Sequence, residues 1–205
     1  IGDNVRLRGY SVANDLYLDG IRDAAQYNRD TFNVDRIDVL RGAASMLFGR
    51  GTTGGVINQV SKEPQLKDSY RAAFTLGSFD YRRLTADLNK SVDATTAVRL
   101  NAMKTDAGSF RDEVHTHRSG IAPAVRWGIN TPDEFQLSYY HLEYNDIPDY
   151  GVPMWTTSGR PVPVPVSRFY GMANVDYQND RAGVLTAQWT HRFDGDTRLR
   201  TALRH

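Results

Sequence analysis

A cluster of glycines has the clearest chemical potential in this sequence. Residues 49–55 read Gly-Arg-Gly-Thr-Thr-Gly-Gly, and glycine-rich loops can cradle phosphate groups. A phosphate loop of the G-x-x-x-x-G-K-[ST] type needs a lysine after its last glycine, whereas Val56 follows Gly55 here. A flexible linker is also a poor interpretation, because apolar, strand-like segments flank the run on both sides. The glycines instead indicate left-handed backbone, or backbone that approaches another group closely.

The other candidates for chemistry are two histidines and scattered carboxylates. His115-Thr116-His117 places two imidazoles on one face of a strand, but no third metal ligand lies nearby. Asp15 and Asp19 are better explained as turn and strand-end residues. No G-x-S-x-G motif, H-E-x-x-H motif or paired-carboxylate context is present. We therefore expect neither an enzyme nor a metal site.

The composition excludes several classes of protein. The 25 Lys and Arg residues nearly balance the 24 Asp and Glu residues, so the basic excess of a nucleic-acid-binding protein is missing. The absence of cysteine excludes a disulfide framework and a thiolate metal site. No apolar run approaches the roughly 18 residues of a transmembrane helix. This does not exclude a membrane protein, because barrel strands alternate apolar and polar residues and give a weak hydropathy signal.

The residues around the glycine cluster form one compact unit, Ile37–Lys62. Ile37, Val39 and Leu40 predict a buried strand, after which Arg41-Gly42 turns the chain. Ala43–Phe48 predicts a short apolar turn or helix that ends at Gly49, and a second strand follows from Val56 to Ser61.

This unit closely resembles the signature near the end of the plug domain in TonB-dependent outer-membrane receptors of the siderophore subfamily. Leu7-Arg8-Gly9-Tyr10 resembles the Arg-Gly-aromatic motif of that family, and Asp15–Gly20 resembles its hairpin strand. Ser61-Lys62-Glu63-Pro64 resembles the seam between plug and barrel. Four motifs in the family's order make the resemblance specific. One departure is Ala43, where many members have proline.

After Pro64 the sequence changes to period-two alternation, which predicts about seven strands with one apolar face each. The predicted turns are short at 91–95, 130–133 and 194–197, and longer connections alternate with them at 77–80, 106–113 and 145–181. Outer-membrane barrels have this organisation. The apolar positions lie within Tyr70–Leu76, Leu84–Leu88, Val98–Ala102, Ile121–Trp127, Phe135–Tyr139, Leu185–Phe193 and Leu199–Leu203.

A soluble β-sandwich would also alternate in this way, with its polar face in water. Four aromatic residues favour the barrel, because they cluster towards strand ends as aromatic girdles do at a bilayer interface. They are Trp127, Tyr139, Tyr140 and Trp189.

The resemblance therefore implies a mainly β fold. Residues 1–64 would be the C-terminal part of a small α/β plug that lies inside a barrel lumen, and residues 65–205 the N-terminal part of a transmembrane antiparallel β-barrel. A plugged transporter barrel needs about 22 strands, so seven strands make roughly its first third. The chain begins within a motif and without a signal peptide, which we interpret as processing or truncation.

The function implied by the resemblance is binding and import of a ferric siderophore, with a catecholate as first choice, using energy from TonB. The siderophore fills the coordination shell of the iron, so we expect no resident cofactor. The expected partners are the ferric siderophore, outer-membrane lipid and TonB, whose contact segment lies outside these residues; no nucleic acid is expected. Hydroxamate siderophores, haem and cobalamin remain alternative cargoes. A soluble all-β glycan-binding domain is the alternative from another class, and a passive porin-like channel would lack the plug motifs.

The resemblance also suggests ligand contacts in the plug. Arg8 occupies the motif position of a plug-apex contact, although it could instead pair with a barrel carboxylate. The segment Asp23–Asp30 corresponds to a second apex, with Gln26, Tyr27 and Arg29 as contact candidates; an ordinary solvated loop is the alternative.

The long loop Asn145–Arg181 is the candidate contact region in the barrel. Prolines at 161, 163 and 165 predict an extended run within it. Arginine and aromatic side chains suit flat, anionic chelates, but a self-packed surface loop remains the alternative. The residues that we expect to line the pocket mouth are Tyr150, Trp155, Arg168 and Tyr170.

Five further residues have structural roles by resemblance. Arg41 corresponds to a plug arginine that pairs with barrel glutamates, whose positions would lie beyond residue 205. The glycines of the plug signature are Gly42, Gly49, Gly54 and Gly55.

Overall fold

The computed structural model describes residues 5–7, 9–23, 25, 27–41 and 55–205. The chain divides into two compact units, Ile1–Pro64 and Gln65–His205. All regular structure in the described residues is β-strand, and no helix among them could cross a membrane. The predicted turn or helix at Ala43–Phe48 lies outside the described residues.

The first unit contains a two-stranded ribbon and a four-stranded sheet. The sheet order is β4-β3-β6-β5, in which β3 and β6 are parallel and the other pairs are antiparallel. Tyr17 of β3 and Val56 of β6 form its core, against which Leu40 packs. The strands are β1 (Arg6–Leu7), β2 (Tyr10–Ser11), β3 (Leu16–Leu18), β4 (Ile21–Arg22), β5 (Val34–Arg41) and β6 (Gly55–Ser61).

The predicted hairpin strand at Asp15–Gly20 is confirmed. β3 and β4 are joined by Asp19 and Gly20, whose φ angles of 54° and 80° are those of a type I′ turn. The Asp19 carboxylate accepts hydrogen bonds from the backbone N–H of Ser61 at 2.7 Å and from its hydroxyl at 3.0 Å. Asp19 therefore ties the hairpin to β6, in agreement with its predicted structural role.

The strand predicted at Ile37–Leu40 is present, but its predicted burial is only partly correct. Leu40 faces the core, whereas Ile37 and Val39 are about half exposed. Period-two alternation places these two side chains on the opposite face of β5, which is an edge strand of the four-stranded sheet.

The second unit is one sheet of seven antiparallel strands, each paired with its neighbours in sequence. The connections 92–96, 128–132 and 193–197 lie at one end of the strands, and 77–81, 108–115 and 147–177 at the other. The predicted count of seven and the alternation of connections are confirmed. The strands are β7 (Ser69–Leu76), β8 (Arg82–Ser91), β9 (Ala97–Ala107), β10 (Thr116–Trp127), β11 (Asp133–Asp146), β12 (Gln178–Arg192) and β13 (Arg198–Arg204).

β11 and β12 extend further than their apolar alternation predicts, so the long loop spans 147–177 rather than 145–181. The additional residues pair across the ladder through polar side chains. Arg118 contacts Asp146 at 2.8 Å, and Arg181 contacts Glu143 at 2.9 Å. Apolar periodicity marks only the apolar band of a strand, and the ladder continues where polar pairs replace it.

The two faces of the seven-stranded sheet differ in polarity. On one face the apolar residues align across strands; for example, Phe135 lies opposite both Trp127 and Trp189. The other face carries buried polar groups, including the Asp87–Arg99 ion pair at 2.8 Å. Sheets of transmembrane barrels have this outward apolar and inward polar division.

The predicted aromatic cluster towards strand ends is correct for Trp127 and Trp189 and wrong for Tyr139 and Tyr140. Trp127 and Trp189 lie near the end with the short connections, and Trp127 stacks on Phe135 with ring centroids 5.5 Å apart. Tyr139 lies on the same apolar face but in the middle of β11. Tyr140 is buried on the opposite, polar face, because consecutive strand residues point in opposite directions.

Candidate ligand-binding site

The long loop 147–177 is anchored at its base by Arg111, in the connection between β9 and β10. The Arg111 side chain is only 6% exposed. Its Nε donates a hydrogen bond to Oδ2 of Asp149 at 2.7 Å, and its Nη1 donates to the carbonyl oxygen of Arg168 at 3.0 Å. The backbone N–H of Asp112 also donates to the carbonyl of Ser167 at 2.8 Å. Both halves of the loop are thus tied to residues 111–112.

The anchor is electrostatically strong. The hydrogen bond from Arg111 holds the pKa of Asp149 below its usual value, and the N–H of Gly151, 2.8 Å from Oδ1 of Asp149, lowers it further. Asp149 is therefore ionised at neutral pH and supplies the countercharge for a buried guanidinium.

The sequence did not reveal the role of Arg111. The predicted connection 106–113 included it, but nothing in its neighbours marks it as different from the other 24 basic residues. Its partners are far away in sequence, 38 and 57 residues along the chain.

Beyond the anchor, the loop folds into a small hairpin with Trp155 near its tip. A β-bridge joins Met154 to Pro161, and the N–H of Trp155 donates to the carbonyl of Arg160 at 2.8 Å. The Trp155 side chain is 53% exposed, and Tyr150, next to Asp149, is 73% exposed. Two of the predicted contact residues are therefore available to a ligand while their backbone is held.

The second half of the loop turns at the end of the proline run. The N–H of Arg168 donates to the carbonyl of Pro165 at 3.3 Å, and the Tyr170 hydroxyl donates to the same carbonyl at 3.0 Å. Arg168 is exposed and Tyr170 is partly buried. The run is not extended throughout, because the N–H of Val164 donates to the carbonyl of Val162 at 2.9 Å, which closes a tight turn.

In the first unit, Tyr27 and Arg29 are used within their own loop. The Tyr27 hydroxyl donates to Oδ2 of Asp23 at 2.9 Å, and Nη2 of Arg29 contacts the same oxygen at 2.9 Å. The guanidinium also lies over the Tyr27 ring, 4.3 Å from its centroid. Since both side chains are buried, they organise the loop, and ligand contact by Tyr27 or Arg29 stays a prediction.

The other predicted residues divide between described and undescribed positions. Arg41 ends β5 with an exposed side chain. Gly55 begins β6 with φ +136°, and a Cβ there would collide with the carbonyl oxygen of Leu40, so this position requires glycine. The predicted residues that lie outside the described part are Arg8, Gln26, Gly42, Gly49 and Gly54.

The two histidines that could suggest a metal site lie side by side, with ring centroids 4.9 Å apart. Nδ1 of His117 lies 2.7 Å from Oδ1 of Asp106. Among the residues with described coordinates, no group of three or more His, Cys, Asp or Glu could hold a metal ion.

The anchored loop can recognise a flat, negatively charged molecule. Exposed tryptophan and tyrosine rings offer stacking surfaces, and the exposed Arg168 guanidinium can donate charge-assisted hydrogen bonds to anionic oxygens. Because the backbone is held by internal bonds, less conformational entropy is lost on binding.

Comparison with known proteins identifies the class to which this fold belongs. Residues 1–56 match the model of the TonB-dependent receptor plug domain. The chain is 35% identical over an alignment 218 positions long to the catecholate siderophore receptor Fiu of Escherichia coli K12, covering 99% of this chain and 28% of Fiu. It is 33% identical over 210 residues to the probable TonB-dependent siderophore receptor PiuA of Acinetobacter baumannii, covering 98% of this chain and 28% of PiuA.

Solved structures agree with this assignment. The crystal structure of PiuA from Acinetobacter baumannii superimposes with a TM-score of 0.92 at 31% identity, covering 99% of this chain and 30% of that chain. The open form of Fiu from E. coli K12 gives a TM-score of 0.91 at 32% identity, covering 98% of this chain and 33% of that chain.

The chain is therefore similar over almost its whole length to siderophore receptors, and its residues 1–56 match the plug domain of TonB-dependent receptors. The predicted fold, part of a transmembrane β-barrel together with part of a plug domain, is confirmed. The chain spans about 28% of the length of the curated relatives Fiu and PiuA.

Proposed function

We propose that the complete protein binds a ferric siderophore at the cell surface and imports it across the outer membrane with energy from TonB. The observation that carries this proposal is the 35% identity to a catecholate siderophore receptor across 99% of this chain. A catecholate is therefore the first choice of cargo. The iron is part of the cargo, and the protein needs no resident cofactor and catalyses no covalent step.

The two compact units correspond to two functional parts in this proposal. Residues 1–64 are the C-terminal part of the plug, and residues 65–205 are the N-terminal part of the barrel. The plug match over residues 1–56 and the unit boundary after Pro64 support this division.

The exposed side chains of the anchored loop are the proposed cargo contacts. Ferric catecholates are anionic and present flat aromatic rings, which suit stacking on Tyr150 and Trp155 and a charge-assisted hydrogen bond from Arg168. Tyr170 supports the loop through its bond to Pro165 and adds a ring edge. From the plug, Arg8 and Gln26 are proposed contacts, with Tyr27 and Arg29 as the groups that order their loop.

The test is a tryptophan-fluorescence titration of the complete, detergent-solubilised protein. A ferric tris-catecholate, a ferric hydroxamate and both iron-free ligands are titrated in parallel. Saturable quenching by the ferric catecholate, without a response to its iron-free form, is the expected result. Saturable quenching by the ferric hydroxamate alone would mean that the cargo is a hydroxamate siderophore. No saturable response to any chelate would refute siderophore binding.

A matched pair of variants tests whether Arg168 belongs to the binding site. Arg168→Ala should weaken binding of the ferric catecholate, whereas Arg160→Ala, at the exposed tip of the same loop, should leave it unchanged. Heat-modifiable migration in gels reports that the barrel of each variant is folded. Equal affinities for both variants and the wild type would remove Arg168 from the site.

A further inference from the structure

We propose that Arg111 is the positioning residue of the cargo site: it touches no cargo, but it fixes the loop that presents Tyr150, Trp155 and Arg168. This inference rests on the proposed function. Arg111 is almost completely buried at the base of a loop whose own arginines, Arg160 and Arg168, are exposed. A buried guanidinium is stable only where its charge and its donors are satisfied, which makes its partners structurally important.

The partners of Arg111 lie in two separate parts of the loop. Asp149 lies three residues after the end of β11, and Arg168 follows the proline run. The Arg111 guanidinium donates to the carboxylate of Asp149 at 2.7 Å and to the backbone carbonyl of Arg168 at 3.0 Å. One guanidinium therefore closes the segment 150–167 into a smaller loop, which reduces the conformations open to its residues.

This smaller loop contains the hairpin that carries Trp155. Its own bonds, such as that from the N–H of Val162 to the carbonyl of Pro153 at 2.9 Å, give it a shape but do not attach it to the barrel. Attachment comes from Arg111 and from the neighbouring backbone bond between Asp112 and Ser167 at 2.8 Å. Tyr150 directly follows Asp149, the first residue that Arg111 holds, and Arg168 is the second, so the same side chain sets the spacing of the proposed contacts.

Lysine could not replace Arg111 in this role. The planar guanidinium donates in two directions from a fixed fork, and it also lies over the Phe110 ring, with Cζ 5.1 Å from the centroid. An ammonium group is a point charge on a flexible chain and would hold Asp149 or Arg168 but not fix both.

The experiment compares Arg111→Lys, Arg111→Met and the control Arg160→Met in the complete detergent-solubilised receptor. Hydrogen exchange is measured for peptides within 150–167 and, as an internal reference, within β8 and β9. Both Arg111 variants should exchange about tenfold faster in the loop, the consequence of losing one charged hydrogen bond, while β8 and β9 are unchanged. The Arg160→Met protein should behave as the wild type.

Calorimetric titration with a ferric tris-catecholate then separates positioning from simple loop stability. The Arg111 variants should bind about tenfold more weakly. The double variant Arg111→Met/Trp155→Ala should lose less binding free energy than the sum of the losses in the two single variants. The reason is that Trp155 already contributes little to binding once Arg111 no longer holds its loop in place. Additive losses would mean that Arg111 does not act through Trp155 and would overturn the proposal.

Two further outcomes are decisive. Loop exchange that is unchanged in both Arg111 variants would show that Arg111 does not hold the loop. Faster exchange with unchanged affinity would show that the loop it holds does not bind the cargo. If the wild-type protein bound no ferric chelate, the proposed function would fail by itself, and the exchange rates would still decide whether Arg111 orders residues 150–167.

Discussion

Two loops of this protein carry the same kinds of side chain and use them in opposite ways. In residues 23–30, Tyr27 and Arg29 are buried and bond to Asp23 of the same loop. In residues 147–177, Tyr150 and Trp155 are exposed, and the arginine that holds the loop comes from a neighbouring connection. The first loop uses its arginine to fold, whereas the second keeps Arg168 exposed at the surface.

The position of the nearest carboxylate explains the difference. Asp23 lies six residues before Arg29, close enough for the short loop to close upon itself. The long loop has two carboxylates: Asp149 is occupied by Arg111 from outside, and Oδ2 of Asp176 accepts a hydrogen bond from the backbone N–H of Met172 at 2.6 Å. A loop rich in arginine and aromatic residues therefore presents them to a ligand only where another group satisfies its carboxylates.

The largest effect that follows from this comparison is on the stability of the first loop. Replacing Asp23 by alanine should reduce the local free energy of unfolding by about 3 kcal/mol, because it removes the carboxylate that bonds to both the buried Arg29 guanidinium and the Tyr27 hydroxyl. Native-state hydrogen exchange of the amides of residues 27–33 in the complete receptor measures this loss.

The control is Asp35→Ala, which removes an exposed carboxylate 3.7 Å from Arg36 in the same unit. Exposed ion pairs add little stability, so exchange in residues 27–33 should not change. Similar exchange in the two variants would mean that Asp23 and Arg29 do not form a stabilising buried pair.

The next effect is on affinity. Trp155→Ala should weaken binding of a ferric catecholate about tenfold, since exposed aromatic residues often dominate a binding site. Tyr177→Ala is the matched control, because Tyr177 is also exposed but is the last residue of the loop before β12, outside the hairpin. Calorimetry in detergent compares them, and equal losses would contradict a site centred on the hairpin.

The sequence predicted the fold more fully than the site, for physical reasons. Period-two alternation recurs in every strand, so the seven antiparallel strands and the alternation of their connections were predictable, and the Asp19-Gly20 turn follows from local chemistry. The ends of β11 and β12 were not predictable, because ion pairs such as Arg181–Glu143 extend the ladder beyond the apolar pattern.

The site was predictable in composition but not in arrangement. Trp155 and Tyr150 are exposed in the long loop, which a place at the pocket mouth requires, and that place stays a prediction. The burial of Arg29 and the anchoring by Arg111 both depend on contacts between residues separated in the sequence, and no periodic pattern encodes such contacts. Of the two, only the pair Asp23–Arg29 is close enough in sequence to have been proposed in advance.

A smaller effect separates loop stability from cargo contact. Tyr27→Phe removes only the hydroxyl that donates to Asp23 at 2.9 Å, and it should lower the local stability of residues 27–33 by about 1 kcal/mol. Affinity for the ferric catecholate should stay within about twofold, because the buried ring and the Asp23–Arg29 pair remain. Hydrogen exchange and calorimetry on the same preparation provide both values. A large loss of affinity with little change in exchange would instead make the Tyr27 hydroxyl a cargo contact.

The smallest effect is the response of the long loop to acid. The hydrogen bond from Arg111 holds the pKa of Asp149 below its usual value of 3.8, so the anchor contributes its full stability above that value and loses it as the pH falls through the lower, folded-state pKa. Acrylamide quenching of Trp155, taken as the difference between the wild-type and Trp155→Phe proteins, should therefore rise only below about pH 3.8. In an Asp149→Asn background the quenching should be raised already at neutral pH and should not change further with acid, since asparagine does not titrate. If quenching of Trp155 rose with acid in the same way with and without Asp149→Asn, another carboxylate would cause the transition. The exposure of Trp155 would then not depend on the contact between Arg111 and Asp149.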